Sequence, residues 1–328
     1  MKTHHHLTRR VALVLLGAAL VACSAEAATP NPAAAPTSTS TSIARVTSVA
    51  PTDLPLQPVA VESTQTPTAL AEVLSSPTPT LTPTPMALAE RVPVIEYHYT
   101  TYASGEQTEM RTEWFLDQLD WLQANGYHTL TGAAFAAYVR GEAPVPERSV
   151  VLRFDVAQSH FDDYADVIVP ALRARGQHGL FFILASRTSD DCDGEHACWP
   201  TLKAWADEGV ISPESHSLWH VDYATLPPEQ IVLDAERSRA LIEAKTGHTV
   251  HGLCYPFDSV APAALGILRD LGYDFAVGGY TRRERGVLFS DPDPYALPSV
   301  YPYSSDTAYP ELTSHPGLTF AELLSTFR

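Results

Sequence analysis

The chain has 328 residues, 45% of them hydrophobic, enough for one large domain or two smaller ones. Its 21 Lys+Arg against 38 Asp+Glu leave a formal charge of −17, which argues against a nucleic-acid backbone as ligand because counterion release needs a basic face. No glycine-rich G-x-G-x-x-G or G-x-x-x-x-G-K-[ST] follows a strand pattern, and no G-x-S-x-G occurs, so neither nucleotide binding nor a serine hydrolase is supported.

At the start, Lys2, Arg9 and Arg10 precede the apolar run Val11 to Ala22, which is short for a membrane span. The run ends in Leu20-Val-Ala-Cys23, which resembles the lipobox of bacterial lipoproteins. That resemblance implies a signal peptide over 1–22, acylation of Cys23 and a lipid anchor on the membrane, outside the cytoplasm. An ordinary cleaved signal with an incidental Cys is the alternative. His4, His5 and His6 precede the apolar run and would leave with the signal.

Residues 23–90 are rich in Ala, Pro, Thr and Ser, carry few charges and show no hydrophobic period. Such a segment buries too little apolar surface to offset chain entropy, so a disordered tether is expected. Further on, Cys192 and Cys198 are spaced to close a small disulfide loop in an oxidising compartment. A metal site from Cys192, His196 and Cys198 is the competing reading, but it lacks a nearby fourth ligand. Cys254 reads as inert packing in an apolar strand.

The ordered part, residues 91–328, opens with a predicted strand over Val92–His98. A helix over Thr112–Asn125 follows, with Phe115, Leu119 and Leu122 on one face. Next come a short strand, Tyr127–Leu130, and a helix, Ala133–Arg140. Ser149–Asp155 is apolar on both faces, the pattern of a buried parallel strand, and helical spacing begins at Phe161. Strands are then predicted at Gly179–Leu184, Gly209–Ser215, Val250–Tyr255, Phe275–Val277 and Tyr295–Val300. Helices alternate with them at Pro200–Asp207, Pro227–Lys245 and Ala261–Leu271, and a closing helix covers Thr319–Phe327. This alternation means parallel strands joined by crossover helices, as an open sheet or a barrel.

Asp155, His98 and the pair His216/His220 each lie just beyond a predicted strand, so parallel strands would gather them on one rim. On one helical turn the i,i+4 histidines would point the same way and share a metal.

From about residue 91 to the end the chain resembles the polysaccharide deacetylases of the NodB-homology type, carbohydrate esterase family 4. Val92-Pro-Val-Ile-Glu-Tyr-His98 is similar to the family's opening V-P-V-L-x-Y-H, and Val151-Leu-Arg-Phe-Asp155 to its T-F-D-D-G. Ser215-His-Ser-Leu-Trp-His220 is similar to S-H-[ST]-x-x-H, Gly179-Leu-Phe-Phe-Ile183 to A-T-F-F-V, Leu253-Cys-Tyr-Pro-Phe257 to F-A-Y-P-[YF], and Ala296-Leu-Pro298 to the late L-P segment. The resemblance implies a distorted (β/α) barrel and metal-assisted removal of N-acetyl groups from an amino-sugar polysaccharide at the cell surface. The divalent metal, zinc by expectation, would be held by His216 and His220. Asp155 would be the base and His98 the acid. Tyr255 and Pro256 would line the pocket, with the Tyr255 backbone N–H facing the oxyanion, and Trp219 would stack on sugar.

The pattern departs at one position: the family's second Asp, a metal ligand, is Val156 here, with Arg153 in place of Thr and Asp258 where many members have Gly. Asp155 would then turn to the metal, or a displaced ligand would come from Gln158, His160, Asp162 or Asp163, His160 being chemically the best. If Val156 is the defect, Val156→Asp should restore metal affinity. The alternative function is a glycan-binding protein that has lost catalysis. A peptidase or other metal-dependent amidohydrolase is a third class, although H-E-x-x-H is absent.

Overall fold

The structure is a computed structural model and describes residues 87–101, 109–156, 160–193, 196–278, 286–302 and 319–327. The chain divides after Pro77 into two units, and every described residue belongs to the second, Thr78–Arg328. The signal segment, Cys23, most of the tether and Gln158 lie outside the described residues.

Six parallel strands form the centre: β1 (Val94–Tyr97), β2 (Ser149–Val156), β3 (Gly179–Ile183), β4 (Ile211–Ser215), β5 (Gly252–Cys254) and β6 (Phe275–Val277). They pair in chain order from β1 to β6, and a short seventh strand, His128–Thr129, adds to the start of β2. The sheet curves into a half-barrel. Its edges are joined by residues 297–300, where Leu297 bridges to Val277 and Val300 to Ile95. The predicted last strand is thus two isolated bridges.

Strand alternation sorts the side chains into two cores. From β2, Val150, Leu152, Phe154 and Val156 face outward and pack with α1 (Thr112–Ala124) and the helices that follow. Val151 faces inward with Val94, Leu180, Phe182, Cys254, Phe275 and Val277. Helix α2 (Gly132–Val139), capped by the Thr131 hydroxyl accepting from Ala134 N–H, adds Phe135, Ala136, Tyr138 and Val139 to this inner core. The carboxyl-terminal half of the interior is polar instead: Glu96, Arg153 and Asp155 continue the inward parity of β1 and β2.

After β2 the chain runs through Phe161–Asp163 and a π-helical turn, Tyr164–Ile168, into α3 (Val169–Arg175), which ends at Gly176 with φ 62°. The widened turn seats Tyr164 so that its hydroxyl donates to the backbone carbonyl of Asp155 at 3.0 Å and also meets that of His98. Helices α4 (Trp199–Asp207), α5 (Pro228–Thr246) and α6 (Pro262–Asp270) cover the outer face, and α7 (Phe320–Ser325) starts with a Thr319/Glu322 capping box. Cys192 and Cys198 are joined by a disulfide just before α4.

Candidate active site

Asp155 ends the inward row of β2 and is almost wholly buried. Arg153, two residues earlier on the same face, grips it with a two-pronged fork: Nε donates to Oδ1 at 2.8 Å and Nη2 to Oδ2 at 2.6 Å. The third nitrogen, Nη1, shares its two N–H groups among Glu96 Oε2 at 2.7 Å, Asp258 Oδ1 at 2.9 Å and Ser299 Oγ at 2.6 Å. Burial alone would raise the proton affinity of Asp155, but Arg153, with His216, overcomes it and holds the carboxyl well below the usual range. Glu96 lacks so complete a grip, and burial pushes it up to about 8. At neutral pH the guanidinium therefore faces the Asp155 carboxylate, while Glu96 keeps its proton.

Three further groups reach Asp155 Oδ2: His98 Nε2 at 3.8 Å, His216 Nε2 at 3.7 Å and the Cys254 thiol at 3.4 Å. His216 follows β4 directly, and its Nδ1–H donates to the Cys254 carbonyl at 3.1 Å, which leaves the Nε2 lone pair turned to Asp155. Burial lowers its pKa to about 4 and also lowers those of His98 and His220, so all three imidazoles are neutral at pH 7.

His216 and His220 do not lie on a helical turn. The segment between them is a loop in which Ser217 and His220 take positive φ, 68° and 55°. This loop brings the rings together, 4.8 Å between centroids. It is shaped by Asp234 on α5, whose carboxylate accepts from Leu218 N–H at 2.9 Å, Trp219 N–H at 3.1 Å and the Tyr223 hydroxyl at 2.6 Å. Ser217 Oγ accepts from His220 N–H at 2.9 Å.

The remaining predicted residues divide. Trp219, within this loop, is 44% exposed, and Phe257, absent from the sequence-based list, is 61% exposed with its ring 4.7 Å from that of His220. Tyr255 is buried, its hydroxyl donating to the Tyr295 carbonyl, and Pro256 is buried too. The Tyr255 N–H donates to the Val277 carbonyl at 3.0 Å, so it does not face an oxyanion. His160 stacks on Tyr99 at 4.2 Å and lies 3.8 Å from Asp163, apart from the Asp155 cluster. Asp162 and Asp163 sit in the helical turn after it. Val156 points away from Asp155 into the outer core. Cys254 is buried, as an inert residue would be, but its thiol touches the carboxylate.

Phe257 and Asp258 both take positive φ, 59° and 52°. That backbone favours glycine. Asp258 occupies it with a carboxylate that reaches Arg153.

The donor chemistry fits a divalent ion of zinc type. Among the described residues, Asp155, His216 and Cys254 offer oxygen, nitrogen and sulfur within 4.8 Å of one another, and Glu96, His98 and Asp155 form a second such group. His220 lies beside the first group through its ring contact with His216.

A parallel α/β half-barrel with a histidine–aspartate cluster at its carboxyl rim places the chain among enzymes of barrel type. Residues 142–276, less than half of the chain, match the polysaccharide deacetylase family model. The matched stretch contains Asp155, His216, His220 and Cys254, while His98 and Ser299 lie outside it. The Bacillus subtilis (strain 168) protein YxkH, whose name places it among polysaccharide deacetylases, is 25% identical over 210 residues, 64% of this chain and 71% of that protein. The poly-beta-1,6-N-acetyl-D-glucosamine N-deacetylase of Escherichia coli (strain K12) is 23% identical over 222 residues, 55% of this chain but only 32% of that enzyme. Among solved structures, the Streptococcus pyogenes deacetylase PplD in complex with acetate superposes with a TM-score of 0.60. It shares 16% identity, over 73% of this chain and 98% of that one, a likeness of fold.

Proposed function

We propose that the chain removes N-acetyl groups from an extracellular amino-sugar polysaccharide, with Asp155, His98, His216 and His220 at the reaction centre. The observation that carries this reading is the convergence on one buried oxygen, Asp155 Oδ2, of His98 at 3.8 Å and His216 at 3.7 Å. The names of the two relatives supply the substrate class.

His216, His220 and Asp155 would hold the ion. A divalent metal bound there polarises the amide carbonyl and acidifies water. Because Arg153 keeps the Asp155 carboxylate a weak base, His98 Nε2, beside the same oxygen, is the group placed to take the water's proton and pass it to the departing amine. Trp219 and Phe257 present exposed aromatic faces next to His220 on which sugar rings would stack. The Cys192–Cys198 disulfide supports an extracytoplasmic location, with the lipid on Cys23 as anchor. No helix among the described residues is long and apolar enough to cross a membrane.

A second reading, glycan binding without turnover, is favoured by Val156, which places an apolar side chain in the outer core where the family has a ligand. The deciding assay measures free amine released from poly-β-1,6-N-acetylglucosamine and from N-acetylglucosamine oligomers in the presence of zinc. Turnover lost in Asp155→Asn and His216→Ala supports deacetylation. Binding of the glycan with no amine released by the zinc-loaded chain transfers the conclusion to the second reading.

A further inference from the structure

In β5, Cys254 is the inward-facing residue, and it lies one position before the Tyr-Pro pair that turns the chain over the site. Its Sγ lies 3.4 Å from Asp155 Oδ2, and the same oxygen lies 3.7 Å from His216 Nε2. Ligand bonds of about 2.0–2.3 Å around a tetrahedral ion separate neighbouring donor atoms by roughly 3.3–3.6 Å. The three donor atoms are already near that spacing, all within 4.8 Å of one another.

The backbone of the same residue fixes the second donor. The Cys254 carbonyl accepts from His216 Nδ1–H at 3.1 Å and sets which imidazole nitrogen faces the cluster. Arg153 anchors Asp155 from the opposite side, through both oxygens, which leaves a further lone pair on Oδ2 for an ion. Meanwhile the position after Asp155 offers no ligand, since Val156 is turned into the outer core.

We propose that Cys254 is a metal ligand of this chain, its thiolate joining Asp155 and His216 in place of the carboxylate that Val156 does not supply. The proposal rests on the reading of this rim as a metal site. Coordination exchanges the Sγ–H bond for a metal–sulfur bond and releases one proton to solvent. Sulfur makes the site softer than an all-nitrogen-and-oxygen set and biases it toward zinc and cobalt over magnesium or calcium.

The test is a titration of the full chain carrying Cys23→Ser with Co2+ alone. Cys254 is then the only cysteine outside the Cys192–Cys198 disulfide. A near-ultraviolet thiolate-to-cobalt charge-transfer band is expected, together with visible ligand-field absorption. Adding Cys254→Ser should remove the band and weaken cobalt binding roughly tenfold or more. A readout that needs no change at Cys254 is X-ray absorption of the zinc-loaded chain, with a sulfur neighbour expected at about 2.3 Å. Cobalt bound with ligand-field absorption that His216→Ala removes, but with no thiolate band and no sulfur neighbour, overturns the role of Cys254 and leaves the histidine site standing. No bound cobalt or zinc at all overturns both.

Discussion

Arg153 and Asp155 meet through two parallel hydrogen bonds although they are neighbours on one face of a single strand. The arginine has no water to fall back on, being 1% exposed. Removing it leaves the Asp155 carboxylate buried without its cation, and Glu96 and Asp258 without their donor. Arg153→Met is expected to lower stability by about 3–5 kcal/mol at pH 7. With the guanidinium gone, burial raises the folded-state pKa of Asp155 instead of losing to Arg153. The penalty should therefore shrink as pH falls toward 4, where the carboxylates protonate. Urea unfolding at pH 4.5 and 7 measures both, and an equal loss at the two values would refute the assignment.

Val156→Asp would put a carboxylate into the outer core among Phe154, Phe161 and Ile183, not beside Asp155. The expected result is a loss of roughly 2 kcal/mol or more with unchanged cobalt affinity. Tighter binding in a chain of unchanged stability would show that this position reaches the site after all.

Asp234 accepts three hydrogen bonds from the loop that carries His220 and touches neither histidine. Asp234→Ala should therefore weaken cobalt binding while both imidazoles remain, and it should lower stability by about 2–3 kcal/mol. Asp234→Asn, which keeps an acceptor oxygen, should recover part of each. Cobalt affinity in Asp234→Ala equal to that of the unaltered chain would reduce the residue to packing.

Glu214, on β4, is buried against the start of α2, where Gly132 packs on its carboxyl group. Its Oε2 accepts from His251 and Gly252 N–H at 2.8 and 2.6 Å, while Oε1 has no partner. Burial pushes its pKa up to about 8 from 4.5. The folded chain thus binds this proton more tightly than the unfolded one. Its contribution to stability is complete below pH 4.5 and is lost as pH rises through 8, a fall of roughly 2–4 kcal/mol between pH 5 and 8. Glu96 acts in the same direction, so Glu214→Gln should flatten the pH profile only in part. Denaturant midpoints across that range check it, and an unchanged slope would be inconsistent with a protonated Glu214. Gly132→Ala should destabilise the same spot, because its Cβ would lie 2.1 Å from Glu214 Oε1.

Much of this architecture was legible in the sequence. All six parallel strands were expected within a few residues, because runs such as Gly179–Ile183 are apolar on both faces and only a parallel sheet covered by helices buries both. Asp155, His98, His216 and His220 were expected together because strand ends carry them to one rim, and the structure brings them close to one another.

The residues that hold the site were harder to read. Arg153 looked like a replaced threonine, although its i,i+2 spacing from Asp155 already placed both on one face. Asp234 and Ser238 stand on the stripe of α5 that also carries Ile231, Ala235 and Ile242, and polar residues on an apolar stripe were the missed signal. The turn at His216–His220 depends on hydrogen bonds to Asp234 on the helix that follows it, so no local period announces it. For Cys254, apolar neighbours suggested packing, while the parity of β5 turned it toward Asp155.

The bridges at Leu297 and Val300 form a seam that differs from the rest of the wall. Four backbone hydrogen bonds hold it: Leu297 N–H to the Ala276 carbonyl, Gly278 N–H to that of Leu297, Val300 N–H to that of Val94, and Glu96 N–H to that of Val300. Between the bridges sits Ser299, whose hydroxyl accepts from Arg153 and donates to Glu96. The amides of Leu297 and Val300 should exchange with deuterium sooner than those inside β2 and β3. Each such opening takes Ser299 from the guanidinium, so the breathing of this seam is felt first by the grip on Asp155.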